Sequence, residues 1–460
     1  MTQFFAKRAY VSVCNTHAVY QWKNDVVFTV EQGQISAIET DAERTSEMQV
    51  LDGPVLPTVS NVHSHAFQRL MAGMAEVALN PEDSFWSWRD VMYKTVSSLL
   101  PEEMEVIASK LYIELLKGGF TQVGEFHYVH NQPDGNAYPE STCLGDAILR
   151  AGDRTKMGVT LLPALYQYAG FGEQPPNDGQ VRFTQSTNDY IEQYRAYQQR
   201  IHKSDRHHLG ICFHSLRATN FNEMKQVLDS LECGQPIHIH IAEQTKEVED
   251  CLTYSEHRPV EWLLSEFDLN AQWCLIHATH LNHSEVEGIA KSGASVGICT
   301  TTEANLGDGF FPAIEYEAAG GVWGVGSDSH VSTSLQEELR WLEYGQRLQH
   351  QKRNRLYGER QPYIADHLFA MSKRGGDQAC GVQTGLSIGA RADFMVWSTA
   401  EPFVSASQSK DLLNRWLFGL SSNVIKDVYV AGECVIDNYQ HELDGRINDA
   451  FNEIVAKRFG

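Results

Sequence analysis

Short apolar runs recur through the middle of the chain, each followed by a longer stretch whose apolar positions return every three to four residues. The runs are Val55–Val59, Thr121–Phe126, Val159–Leu165, Leu209–Phe213, Pro236–Ile241, Trp273–His277, Ala294–Cys299 and Gly321–Val325, eight in all. Runs of this length, rich in β-branched and aliphatic residues, read as strands covered on both faces. The stretches Glu102–Lys117, Asp189–Ile201, Asn222–Leu231 and Pro259–Phe267 read as amphipathic helices between them. Eight strand-then-helix units predict an α/β fold, a (β/α)8 TIM barrel over residues 56–384. A doubly wound parallel sheet is the competing architecture, since alternation alone fits both.

The two ends of the chain follow a different rhythm. Ala9–Val13, Val26–Glu31 and Ile35–Ile38 read as strands, with turn chemistry at Glu31-Gln32-Gly33-Gln34. Ala392–Trp397 and Val428–Val430 match them near the other end, with a turn at Gly432. Residues 1–55 plus 385–445 are therefore expected to form one small β-sandwich domain, with a C-terminal helix over 446–460. The polar connections His127–Glu140 and Tyr168–Asn188 are long enough to act as lids or binding loops at the C-terminal face of a barrel.

Composition narrows the class. With 460 residues, 42% hydrophobic and 21% charged, the chain has material for a large core. A net charge of −22 argues against a nucleic-acid partner that tracks phosphates, and it makes any arginine inside a motif more informative. The nine cysteines include no C-x-x-C pair and are odd in number, so buried thiols in a reducing compartment are expected rather than a disulfide framework. The opening MTQFFAKRAYVSV lacks the apolar stretch of a signal peptide, and no window approaches 18 consecutive apolar residues. A soluble cytoplasmic protein without a membrane partner is the expectation.

Candidate chemistry begins at His63-Ser64-His65, where alternate residues of a strand point to one side. With 19 histidines such a pair arises by chance roughly once, and His238-Ile239-His240 is a second case. Position is what raises its weight. His63 and His65 follow the first run, His240 ends the fifth, and Asp328 follows the eighth, so all four fall on one face of the proposed barrel. Three imidazoles and one carboxylate suit a single divalent metal, zinc first and iron as the alternative, with room for water. Glu243, three residues beyond His240, is placed to shuttle a proton between water and a leaving nitrogen. His277, ending the sixth run, is placed to bond the same water, with His280 as its rival.

This constellation resembles the mononuclear deaminase branch of the amidohydrolase superfamily. In that superfamily H-x-H follows the first strand, His and a Glu three residues on follow the fifth, His the sixth and Asp the eighth. The fourth run, Leu209–Leu216, lacks the lysine that bridges two metals in binuclear members. The segments 61–69, 85–90, 124–130, 214–218, 238–243 and 301–308 resemble the formimidoylglutamate deiminase family in particular. The resemblance implies hydrolysis of N-formimino-L-glutamate to N-formyl-L-glutamate and ammonia in histidine degradation, with Glu243, His277 and Asp328 catalytic. It implies substrate contacts from Gln68, Arg89, Tyr128, His214 and Arg217, and a homodimer. The arginines fit a dianionic substrate, because a guanidinium fork matches a carboxylate. Two alternatives stay open: another mononuclear deaminase or chlorohydrolase acting on a purine, pyrimidine or triazine ring, and a catalytically silent barrel serving as a binding protein.

Overall fold

A computed structural model describes residues 1–13, 19–77, 85–202, 204–232, 234–359 and 361–460, leaving out the side chains of residues 85–87. The central sheet is all parallel and comprises β1 (Val59–Ser64), β2 (Phe120–His127), β3 (Gly158–Leu165), β4 (Ile211–Ser215), β5 (Ile237–Ile241), β6 (Trp273–His277), β7 (Ser295–Ile298) and β8 (Val322–Val325). They are hydrogen-bonded in chain order, with a short strand His208–Leu209 added beside β3. A parallel bridge between Ser64 and Asp328 joins β8 back to β1 and closes the ring. The doubly wound alternative is excluded by that closure.

The predicted helices appear as Pro101–Lys117, Thr187–Ile201, Phe221–Ser230 and Pro259–Glu266 on the outside of the ring. Every residue of β1, β2 and β3 is buried; β3 accordingly reads as a nearly continuous apolar run, whereas β1 buries Ser60, Asn61, His63 and Ser64 as well as its two valines. Val62 fills the middle of the barrel. A Cβ on Gly297 would lie 3.0 Å from one Val62 methyl, and one on Gly324 would lie 2.5 Å from the other, so glycine on β7 and β8 makes room for it. Helix Ile364–Cys380 runs tightly against the barrel: a Cβ on Gly375 would overlap the Trp323 carbonyl oxygen.

The first apolar run divides where the sequence reads it as one strand. Val55–Pro57 pairs with Ala9 and with Phe394–Val396 in the terminal sheet, and the barrel strand starts at Val59. The terminal sheet holds eight strands: Thr2–Ser12, Tyr20–Glu31, Gln34–Glu39, Gln49–Leu51, Val55–Pro57, Phe394–Trp397, Ile425–Val430 and Glu433–Ile436. Gln32 and Gly33 both take positive φ in a two-residue hairpin, matching the right-handed twist of the strands they join. Phe28 and Phe394 lie on strands three steps apart, roughly 14 Å if the sheet were flat. Their rings are 5.1 Å apart, so the sheet curls over itself around a core with Phe4 and Tyr429, in the manner of a sandwich. The chain closes with helix Asp444–Phe459.

Among the described residues, no helix is long and apolar enough to cross a membrane. The cysteines among them carry free thiols; Cys14 and Cys233 lie outside the described residues.

Candidate active site and metal centre

The C-terminal ends of β1, β5, β6 and β8 converge on one point. The backbone there is unusual: Ala242, His277, Ala278, Asp328 and His330 all take positive φ without being glycine. Left-handed backbone at such residues costs of order 1–3 kcal/mol each and gathers at functional sites. Asn61 fixes the junction of β1 and β8. Its Oδ1 accepts from the backbone N–H groups of His63 (3.2 Å) and Ser327 (3.1 Å), and its Nδ2 donates to Ser327 Oγ at 2.6 Å. Asp328 N–H in turn donates to the His63 carbonyl at 3.0 Å.

His63, His65, His240 and Asp328 are all buried. His63 Nε2 lies 3.1 Å from His240 Nε2 and 3.3 Å from Asp328 Oδ1, and His65 Nε2 lies 3.5 Å from the same oxygen. Donor atoms 2.0–2.1 Å from a tetrahedral ion stand roughly 3.3 Å apart, the same spacing. The tautomers sharpen the point. His65 Nδ1 faces the Phe126 carbonyl at 2.8 Å and His240 Nδ1 the His214 carbonyl at 2.9 Å. A carbonyl only accepts, so both protons sit on Nδ1 and both Nε2 atoms present bare lone pairs. Burial holds all three imidazoles toward the neutral form, lowering each pKa. These two lone pairs and the Asp328 carboxylate converge, and a cation between them relieves their mutual repulsion. These residues fit one divalent metal ion, and the site is a mononuclear metal centre.

The turn that carries His65 is tied down by Glu125, a residue to which sequence reasoning gave no role. Its carboxylate accepts from Ser64 Oγ at 2.6 Å and from Ala66 N–H at 2.7 Å. Burial lifts its pKa to about 7 against those bonds.

Glu243 and His277 stand beside the cluster. His277 Nε2 is 3.7 Å from Glu243 Oε1 and 3.9 Å from Asp328 Oδ2. Burial pushes Glu243 up to about 7, reinforced by Asp328 and Glu247 and opposed by His277 and Arg217. Burial works against charge on His277, but Glu243, Glu303 and Asp328 outweigh it and raise this imidazole to about 10. Its rival His280 lies elsewhere, its ring beside Gly309 and its carbonyl accepting from Arg258. His238 bonds the Ala379 carbonyl at 2.7 Å, away from the cluster.

The remaining residues singled out in the sequence, Gln68, Arg89, Tyr128, His214 and Arg217, line one pocket with His65, His240 and Asp328. Gln68 Nε2 donates to Tyr128 OH at 3.1 Å, and Gln68 Oε1 is buried without a hydrogen-bond partner among the described residues. Arg217, its side chain 11% exposed, has Nε 4.0 Å from Glu247 Oε1. The Arg89 guanidinium lies 5.4 Å over the Tyr93 ring. Sequence reasoning missed the aromatic walls Trp88, Tyr93, Tyr166 and Phe183. Trp88 stood inside a segment already singled out; the others carry no sequence signal, because they reach the pocket from a helix, a strand end and a loop.

Residues 55–435 match the amidohydrolase family. A formimidoylglutamate deiminase from Pseudomonas aeruginosa is 46% identical over 459 residues, 99% of each chain. The crystal structure of an amidohydrolase from Brucella melitensis superposes with a TM-score of 0.94 at 38% identity, covering 100% of both chains. An adenosine deaminase structure from Xanthomonas campestris, with bound zinc, shares the fold at 17% identity and a TM-score of 0.80, covering 99% of this chain and 98% of that one.

Proposed function

Because the chain belongs to the amidohydrolase family, we propose that its metal centre hydrolyses the formimino group of N-formimino-L-glutamate, giving N-formyl-L-glutamate and ammonia in histidine degradation. The observation that carries this reading is the pairing, in one pocket, of converging imidazole lone pairs with two guanidinium groups. The first set suits an ion that activates water; the second suits a substrate with two carboxylates. The similar deiminase supports the choice of substrate.

His63, His65, His240 and Asp328 hold the ion, whose three-nitrogen, one-oxygen donor set suits zinc, with iron as the alternative. When bound, it supplies Lewis-acid polarisation and lowers the pKa of water. Arg217 and Arg89 bind the substrate carboxylates, and Gln68, Tyr128 and His214 add polar contacts that fix its orientation. Such anchoring spends binding energy remote from the bond that breaks. Glu243 accepts a proton as water attacks the formimino carbon and the C=N electron pair moves to nitrogen. His277 and Asp328 bond the incoming oxygen from the other side. Glu243 returns that proton to the nitrogen, making it an amino group; it then passes the hydroxyl proton to the same nitrogen, so that the C–N bond breaks, ammonia leaves and the formyl carbonyl forms.

In this reading residues 56–384 carry the chemistry, while 1–55 with 385–445 and the closing helix support it. The protein works in the cytoplasm as a homodimer, without nucleic-acid or membrane partners. The aromatic walls favour a second reading, a ring-deaminating relative. An ammonia-release panel of N-formimino-L-glutamate against guanine, cytosine, adenosine and a triazine decides between them. Release from the linear amidine alone supports the proposal, and release from a ring alone overturns it.

A further inference from the structure

The carboxylate of Glu303 has no part in the chemistry described so far. It is 3% exposed and lies in the short helix Thr300–Leu306 that follows β7. Its Oε1 accepts from the Cys299 N–H at 2.9 Å, which ties the carboxylate to the end of β7. The same oxygen is 3.3 Å from His277 Nδ1. His277 needs such a restraint. It ends β6 with φ of 68°, the next residue Ala278 has φ of 48°, and the chain leaves the barrel there without helical support. With Nδ1 committed to Glu303, Nε2 is the ring atom left to face Glu243 and Asp328.

We propose that Glu303 is the positioning residue for His277: it accepts the Nδ1 proton, fixes the ring plane, and so directs Nε2 at the site where water attacks. Glu303 stands outside the proposed ligand set of His63, His65, His240 and Asp328 and acts through the imidazole. Partners of this kind, placed behind an active imidazole, set both its tautomer and its orientation, and their removal costs about 10- to 100-fold in function. The proposal rests on the assignment of His277 to the proposed deiminase reaction, but the ring geometry is measurable without any substrate.

The test uses metal-loaded full-length protein in three forms: wild type, Glu303→Ala and Glu303→Gln. Ring-15N-histidine NMR, with the His277 signal identified by its loss in His277→Asn, reads the imidazole directly. The expected wild-type spectrum has a slowly exchanging, downfield Nδ1 proton, absent from Glu303→Ala and restored in Glu303→Gln, whose amide oxygen still accepts. In turnover, Glu303→Ala is expected to lose about 10- to 100-fold in kcat with KM within twofold and metal content unchanged, and Glu303→Gln to recover part of the loss. A His277 Nδ1 proton unchanged in Glu303→Ala overturns the proposal whether or not formiminoglutamate is the substrate. Parallel losses of metal, melting temperature and kcat also overturn it, since they mark a purely structural role. Wild-type protein inactive on formiminoglutamate while the NMR result holds removes the proposed reaction and leaves the positioning intact.

Discussion

Replacing Glu243 by glutamine probes the acid–base step with little change of shape. The side chain is 5% exposed and 3.7 Å from His277 Nε2, so the isosteric amide fills the same space but cannot carry a proton. A positioned acid–base group contributes about 10²- to 10⁴-fold, or roughly 3–5 kcal/mol of barrier. Glu243→Gln is therefore expected to lower kcat by at least about a hundredfold. The metal should stay, because Glu243 is outside the set of His63, His65, His240 and Asp328. The pH dependence supplies a second readout. The base must be ionised, so activity falls as pH drops through its pKa. Burial moves that pKa from 4.5 to about 7, and the acid limb should lie above the ordinary carboxylate range, toward neutrality. The limb should vanish in the glutamine variant. Coupled ammonia-release kinetics with metal analysis on the same samples measure both effects. Turnover within tenfold of wild type at equal metal content would refute the proton-shuttle role.

Three further outcomes are expected. Arg217→Met should raise KM by roughly a hundredfold with kcat less affected, since losing charge-assisted bonds to a carboxylate costs about 3 kcal/mol; an unchanged KM in steady-state kinetics would mean the substrate is held elsewhere. His65→Ala should lose most of its metal in elemental analysis while retaining a wild-type circular dichroism spectrum, and full metal retention would remove His65 from the ligand set. Glu338, buried under Thr300 and Thr301, has its pKa pushed by burial to about 8. A carboxyl raised in the fold keeps its proton when the unfolded chain has lost it, so its contribution falls as pH rises from 4.5 to about 8. Over that window the wild-type melting temperature should decline relative to Glu338→Gln, and parallel curves would contradict the argument.

The barrel was legible because strands covered on both faces are rich in apolar residues, and β2, β3, β5 and β6 stand nearly where the runs place them. The first run was misread because Val55–Val59 is continuous in sequence, and only tertiary pairing gives Val55–Pro57 to the terminal sheet and starts the barrel strand at Val59, whose following residues are mostly polar. The first terminal strand starts at Thr2, ahead of the expected Ala9, because exposed Lys7 breaks the pattern while Phe4 and Phe5 remain buried. The proposed metal site was legible because its residues fall at strand ends, His63 and His65 together at β1, His240 on β5 and Asp328 just beyond β8. Glu125 and Glu303 were not, since a buried carboxylate reveals its use only through the groups it faces.

The most direct test of a metal-centred attack on a formimino carbon is ammonia release from N-formimino-L-glutamate, measured on one preparation before chelation, after it, and after restoring zinc. The account predicts about one divalent ion per chain, activity lost on chelation and activity regained on restoration. Release that survives complete metal removal, or no release from the metal-loaded protein, would contradict it.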